Sequence, residues 1–370
     1  MNGNSMDDLD DVMDELDEVF SQTQSSINRV TIAYLMRASR NNGVLDIIGF
    51  KKKLTHIINA SNRIIGKKLN KAGDILNIEP KKAKREVVSF NRKLSKEAVR
   101  NLRMTNNHIP NVKEEGDTDD LYRAIKQYSN KVDEGFATVY KDGKRFKFKP
   151  YMEMNVRTTL HNEMSKELDK TARSEGIFCW ICDEYSDSAD DHADFQGRKY
   201  IDEDWASMCN PDEVDAIQNY IDSNGILTKQ YVTGAPIYLT TRPNCRHVMM
   251  PITLEQFLES SIEDAIKAVG GHQGAYKGTE EYEATQRQRY NERQIRKYKE
   301  RLGNLQTAQA NAPKSMKKEF DGAIKEMNGM VRKWQEEQRN FLDSHPQLER
   351  DYRRESNKTI LNDIGVKYHQ

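Results

Sequence analysis

The sequence predicts an α+β protein that is predominantly α-helical, with long helical N- and C-terminal regions around a small α+β core. The core is expected to hold a β-hairpin and irregular loops with a candidate zinc staple. Three observations carry this. Apolar residues recur at three- and four-residue spacing through the first and last quarters of the chain. The middle third switches to strand-like alternation around turn residues. All four cysteines, with two of the histidines, crowd into residues 179–247.

Residues 1–20 carry eight acids and no base and read as an acidic, disordered tip. Residues 21–115 read as a basic helical region. Ile27, Val30, Tyr34 and Ala38 form one stripe, and Val87, Phe90, Leu94, Ala98 and Leu102 another. Ile57, Ile58, Ile64 and Ile65 mark a buried stretch between them. Pro110 breaks the pattern, and the polar run 114–120 is a linker. The core, 116–275, opens on a hairpin whose Asp142-Gly143 turn tolerates the positive φ of type I′ geometry, followed by the alternating Arg145 to Phe148. Val156, Leu160, Met164, Leu168 and Ala172 then place a helix from about Tyr151 to Arg173, stopped by Gly176. Residues 276–370 read as a helical hairpin and tail. Ile295, Tyr298, Leu302 and Leu305 line one helix, and Met327, Val331, Trp334 and Phe341 the next, with His345-Pro346 as its stop.

Composition narrows the function. Lys+Arg and Asp+Glu both number 58 in 370 residues, so no whole-molecule basic field exists to coat nucleic acid. No apolar run reaches the ~18 residues of a membrane span. The acidic N-terminus lacks the basic start of a signal peptide, and four cysteines do not make a disulfide scaffold, so a reducing, cytosolic setting is expected. Charge is nevertheless segregated: residues 51–103 carry a net +12 and residues 179–223 a net −11. Lys51, Lys52, Lys53, Lys81, Lys82, Lys84 and Arg85 form blocks suited to neutralising phosphates without reading sequence. The same blocks also fit solvated helix faces.

The chemically dense stretch begins at Cys179-Trp-Ile-Cys182, a spacing that can hold two thiolates on one side of a knuckle, as tetrahedral zinc requires. The remaining ligands would come from Cys245, His247, His192 or Cys209. The other reading is four small buried thiols acting as hydrophobes. Asp191-His192, with Asn244 and His247, also suggests a metal-dependent nuclease in which His192 is the general base. The competing reading makes His192 a structural histidine satisfied by backbone or an acid. Gly270 to Gly274 lacks the strand and the Lys-Ser/Thr pair of a phosphate loop, and no Gly-x-Ser-x-Gly elbow is present.

Several ordered segments resemble one family. Tyr140-x-Asp142-Gly143 followed by Tyr151 to Thr158, the signature His192-Ala-Asp194-Phe195-Gln196-Gly197, and Pro243-Asn244-Cys245-Arg246-His247 before Pro251 are similar to segments of tailed-bacteriophage minor capsid proteins. The group is the one called phage minor capsid protein 2. Arg287 to Lys299 and Trp334 to Glu355 resemble its two tail helices. The likeness covers about 135–360.

The resemblance implies a non-enzymatic structural protein of the phage head. It would assemble in the host cytoplasm and sit inside the head near the portal, contributing to head assembly and to DNA packaging or ejection. Its implied partners are the portal protein, other capsid or scaffold proteins, and packaged double-stranded DNA held without sequence preference, with no membrane. Related Mu F-like head proteins share a Cys-x-x-Cys and a late Cys-Arg-Cys or Cys-Arg-His. That implies one structural zinc on Cys179, Cys182 and Cys245 with His247 or His192. His192, Asp194, Gln196, Gly197, Asn244 and Arg246 are then expected to be structural, with Gly197 at a backbone position that a Cβ would crowd.

Overall fold

The computed structural model describes residues 6–41, 44–107, 125, 137–139, 145–230, 240 and 245–360. The chain divides into two compact units, each assembled from separate stretches. The first takes Met1–Met13, Leu69–Lys84 and Met154–Gln286, and the second takes Asp14–Lys68, Arg85–Glu153 and Arg287–Gln370. Each unit thus draws on more than one of the consecutive segments expected from sequence.

The N-terminal third is three long helices: α1 (Met6–Arg40), α2 (Ile47–Leu76) and α3 (Lys81–Asn106). The stripes read from sequence are their buried faces, with Ile27, Ala38, Ala98 and Leu102 almost fully enclosed. One expectation is corrected here. The acidic segment expected as a disordered tip is helical from Met6 onward. Val12, Leu16, Val19 and Phe20 recur at helical spacing and are buried, while the acids occupy the other faces. The dense acid run conceals a packing stripe.

The hairpin is present as β1 (Ala137–Val139) and β2 (Arg145–Lys147), antiparallel with Thr138 opposite Phe146. Its Asp142-Gly143 turn and the 114–120 linker lie outside the described residues. The next helix, α4, runs Phe148–Ser174, close to the expected span.

The first unit is organised by a four-stranded mixed sheet in the order β5-β4-β3-β6. The strands are β3 (Cys179–Cys182), β4 (Lys199–Ile201), β5 (Leu227–Thr228) and β6 (Met249–Ile252). The central strand β3 pairs antiparallel with β4 on one side and β6 on the other, while β4 and β5 run parallel. Side chains alternate across the sheet. Cys179, Ile181, Ile201, Met250 and Ile252 face a core completed by Phe257 and Ile266. Trp180, Cys182, Tyr200 and Met249 face the other way, against Ala172. Phe257 and Ile266 come from two short helices, α7 (Leu254–Glu259) and α8 (Ile262–Ala268). Thr253 and Gln256 form a reciprocal cap on α7.

Two further helices belong to this unit. A one-turn helix, α5 (Asp190–Ala193), follows β3, and α6 (Pro211–Asn224) follows β4 and adds Ile217 to the core. Asn210 and Glu213 cap α6 reciprocally, and Gly225 ends it in the left-handed conformation. Lys199 on β4 is 6 % exposed, yet its ammonium donates to the carbonyls of Phe257 and Ser260, each at 2.6 Å, and to the Tyr220 hydroxyl at 3.2 Å.

The second unit is helical. It contains the C-terminal pair α9 (Thr279–Asn311, from Arg287 onward) and α10 (Glu319–Asp343), connected through a 3-10 turn at Lys314–Met316. Polar groups join its helices: Thr23 bonds Ser61, Asn91 bonds Asn62, and Glu300 accepts from Ser25 and Asn28. The tail after α10 is fastened by Arg354 to both oxygens of Asp14, at 2.9 and 2.7 Å, and by the Ile360 amide donating to Ser26.

Glu292, on α9, is 2 % exposed, and burial pushes its carboxyl up to about 7 despite nearby Arg354 and Arg289. Unfolded, it titrates near the ordinary 4.5. The folded chain therefore holds this proton more tightly. The group's contribution is fully present below pH ~4.5 and is lost as pH rises through ~7. Glu292→Gln should raise stability at pH 8 by about 2–3 kcal/mol and change it little at pH 4, as read from urea melts at the two pH values.

Candidate functional site

The site is built where β3, the turn after it and the approach to β6 meet. Residues 192–197 are wound tightly. The amides of Phe195 and Gln196 donate to the His192 carbonyl at 2.9 and 3.1 Å. Gly197 then reverses the chain at φ +60°, and its amide donates to the Cys182 carbonyl. That left-handed φ favours glycine, and a Cβ here would also displace the Glu184 carboxyl. The Tyr200 hydroxyl donates to the Phe195 carbonyl at 2.6 Å, which locks the turn onto β4. Asp194 sits exposed at the C-cap of α5.

The turn brings His192 against the strand leading into β6. The two Nδ1 atoms of His192 and His247 lie 3.2 Å apart. Cys245 Sγ lies 3.5 Å from His247 Nδ1 and 3.9 Å from His192 Nδ1. All three ligand atoms fall within 4.8 Å of one another. Cys245 and His247 are buried, and the His192 side chain is 15 % exposed.

Gln196 supports this cluster. Its Oε1 accepts from the Tyr185 amide at 2.9 Å and its Nε2 donates to the Tyr185 carbonyl at 3.2 Å, so the backbone fixes which end is which. The same Oε1 lies 2.6 Å from His247 Nε2. His247 must therefore donate from Nε2. Burial first, then the neighbouring His192 and Arg246, hold its pKa down to about 3, so the ring is neutral and its Nδ1 carries a lone pair. Behind it, His161 from α4 contacts the His247 carbonyl through Nε2 at 2.5 Å.

Aromatic and charged groups frame the cluster. Tyr185 stacks on His272, with centroids 4.3 Å apart and planes at 5°, and meets the His247 ring edge-on. Arg246 lies over the Tyr185 ring at 4.4 Å and pairs with Asp187. The 184–190 loop is stitched to residues 272–279: Glu184 and His272 exchange bonds, Lys277 donates to Ser186, and Tyr276 and Thr279 bond Asp190. A hollow of about 30 Å³ touches Cys245, Arg246, His161 and Tyr185. It has room for water and is far below the ~300 Å³ lower bound of ligand pockets.

Of the sequence candidates, the structure brings together His192, Cys245 and His247. It does not bring the Cys-x-x-Cys pair to them. Cys179 and Cys182 lie on an extended strand, where residues three apart point to opposite faces, and they belong to the two separate cores. Burial pushes both thiols up, which keeps them protonated rather than nucleophilic. Cys209 is half-buried beside the Cys179 core. Asn244 lies outside the described residues. His192 turns its Nδ1 toward Cys245 and His247, so the nuclease reading gains no support from an open cleft. His161, Tyr185 and His272 had no motif to mark them. The available signal was polarity: His161 adjoins the apolar stripe of α4, and His272 sits in a glycine-rich segment.

The family model for phage minor capsid protein 2 matches residues 119–343, more than half of the chain. The chain belongs to that family. The match contains the hairpin, the whole sheet and the His/Cys cluster, and it ends at Asp343, the last residue of α10. Helices α1 to α3 precede it. The minor capsid protein is thus a structural component of a phage virion. No curated protein and no solved structure matches the chain.

Proposed function

We propose that this minor capsid protein is a non-enzymatic component carried inside the phage head near the portal. It contacts the portal and other head proteins there, and contributes to head assembly and to DNA packaging or ejection. The observation that carries this reading is the family match across 119–343. The basic helices supply a second, weaker support. Lys51 and Lys52 on α2, and Lys81, Lys82 and Arg85 on α3, are exposed, whereas Lys53 and Lys84 are half-buried. Exposed Lys52, Arg63 and Lys67 extend the α2 patch along one side at helical spacing. Such a face suits duplex phosphates without base readout. No helix among the described residues is long and apolar enough to cross a membrane.

A protein inventory of mature virions tests the placement: the chain should be found inside DNA-filled heads at low copy number. Its absence from particles would overturn the reading. Purified protein should bind duplex DNA weakly, with affinity falling steeply between low and physiological salt. Changing Lys51, Lys52, Lys53, Lys81, Lys82 and Lys84 to Glu should abolish that binding. Undiminished binding in this variant would remove DNA contact by these helices from the proposal.

A further inference from the structure

We infer that His192, Cys245 and His247 form a mononuclear site for a zinc-class divalent cation, bound through Nδ1, Sγ and Nδ1. The inference goes beyond the capsid reading and does not depend on it.

Geometry is the first argument. Zinc bonds imidazole nitrogen at ~2.0–2.1 Å and thiolate sulfur at ~2.3 Å, so a tetrahedron has N···N edges of about 3.3 Å and N···S edges of about 3.6 Å. The observed 3.2, 3.5 and 3.9 Å edges match that figure closely. A common point at bonding distance from all three atoms therefore exists without moving the backbone.

The protonation pattern is the second. Gln196, itself fixed by the Tyr185 backbone, accepts from His247 Nε2 and leaves the Nδ1 lone pair facing the cluster. This is the outer-shell bond that orients a ligating histidine and raises its basicity. His161 holds the adjoining carbonyl, so the His247 ligand is braced on two sides. Gln196 and His161 are positioning residues here.

The donor set indicates the class of metal. Two imidazoles and one thiolate suit zinc and exclude the hard cations magnesium and calcium, which take oxygen. Cys245 and His247 are enclosed, while His192 borders solvent, so the fourth position opens on the His192 side to water. Bound metal would link the turn after β3 to the strand entering β6, segments 53 residues apart. Part of its binding energy would then be folding energy.

The test uses the full chain and the metal alone. Metal-free protein titrated with cobalt(II) should take up one equivalent. It should show tetrahedral visible bands and a near-ultraviolet thiolate charge-transfer band, and zinc should bleach both. Cys245→Ser should remove the charge-transfer band, whereas Cys179→Ser and Cys182→Ser should keep it. Gln196→Ala, which leaves all three ligands in place, should weaken zinc binding about 10- to 100-fold. Circular dichroism establishes that each variant is folded. Should Cys245→Ser not fold, zinc-edge X-ray absorption on the unaltered protein decides: one sulfur and two imidazoles support the site. Two or three sulfurs, or none, overturn it. Folded protein that takes up neither cobalt nor zinc also overturns it, as does a charge-transfer band that survives in Cys245→Ser or vanishes in folded Cys182→Ser.

Discussion

Trp180→Ala should lower the stability of the protein by about 3–5 kcal/mol, the range for truncating a fully buried large aromatic. Trp180 is 1 % exposed at the centre of the middle strand, packed with Tyr200, Met249 and Ala172. Its indole donates to Asp202 at 3.1 Å, and Lys229 lies 3.4 Å above the ring. The substitution therefore opens a cavity and also removes a hydrogen bond from a buried carboxylate. Chemical denaturation followed by circular dichroism gives the value. A loss below about 1 kcal/mol would contradict the sheet described here, because no peripheral residue of this size is so enclosed.

Lys199→Met should cost about 3 kcal/mol. Methionine keeps the length and most of the volume of the stem, so packing changes little. What disappears is the ammonium that satisfies the Phe257 and Ser260 carbonyls at the end of α7. Buried acceptors left without a donor cost about 1–3 kcal/mol each, and the helix C-terminus loses a favourable cation. Lys267→Met, exposed in the last turn of α8, is the control and should stay within about 0.5 kcal/mol of the parent. Equal effects at the two lysines would show that charge alone, rather than burial, is being measured.

The helices were legible because their packing stripes are local. Val87 to Leu102, or Val156 to Ala172, states its own face through spacing alone. The Cys-x-x-Cys is ambiguous for a related reason. β3 is paired on both edges and covered on both faces, so Cys-Trp-Ile-Cys is buried at every position and shows no alternation. A fully buried strand and a metal knuckle then look alike in four letters. The His/Cys cluster was legible as residue types but not as a set. His192 reaches Cys245 only because β4 and β6 flank β3, and strand order is not written in local periodicity. His161 and His272 act through backbone carbonyls and ring stacking, contacts that no sequence spacing encodes. The acidic start of α1 shows the reverse error, in which composition outweighed a stripe that was present.

The interleaving of the two units bears on how the chain is made. Neither is made from one contiguous stretch of chain. The first waits for Gln286 to leave the ribosome before Leu69–Lys84 has its full set of partners, and the second recruits everything after Arg287. The Ser26 to Ile360 bond spans 334 residues, so a segment made late closes onto a helix made much earlier. Such long-range closure is slow. Removing the segment from Arg354 to Ile360 would strip Asp14 and Ser26 of α1 of the partners that the tail supplies.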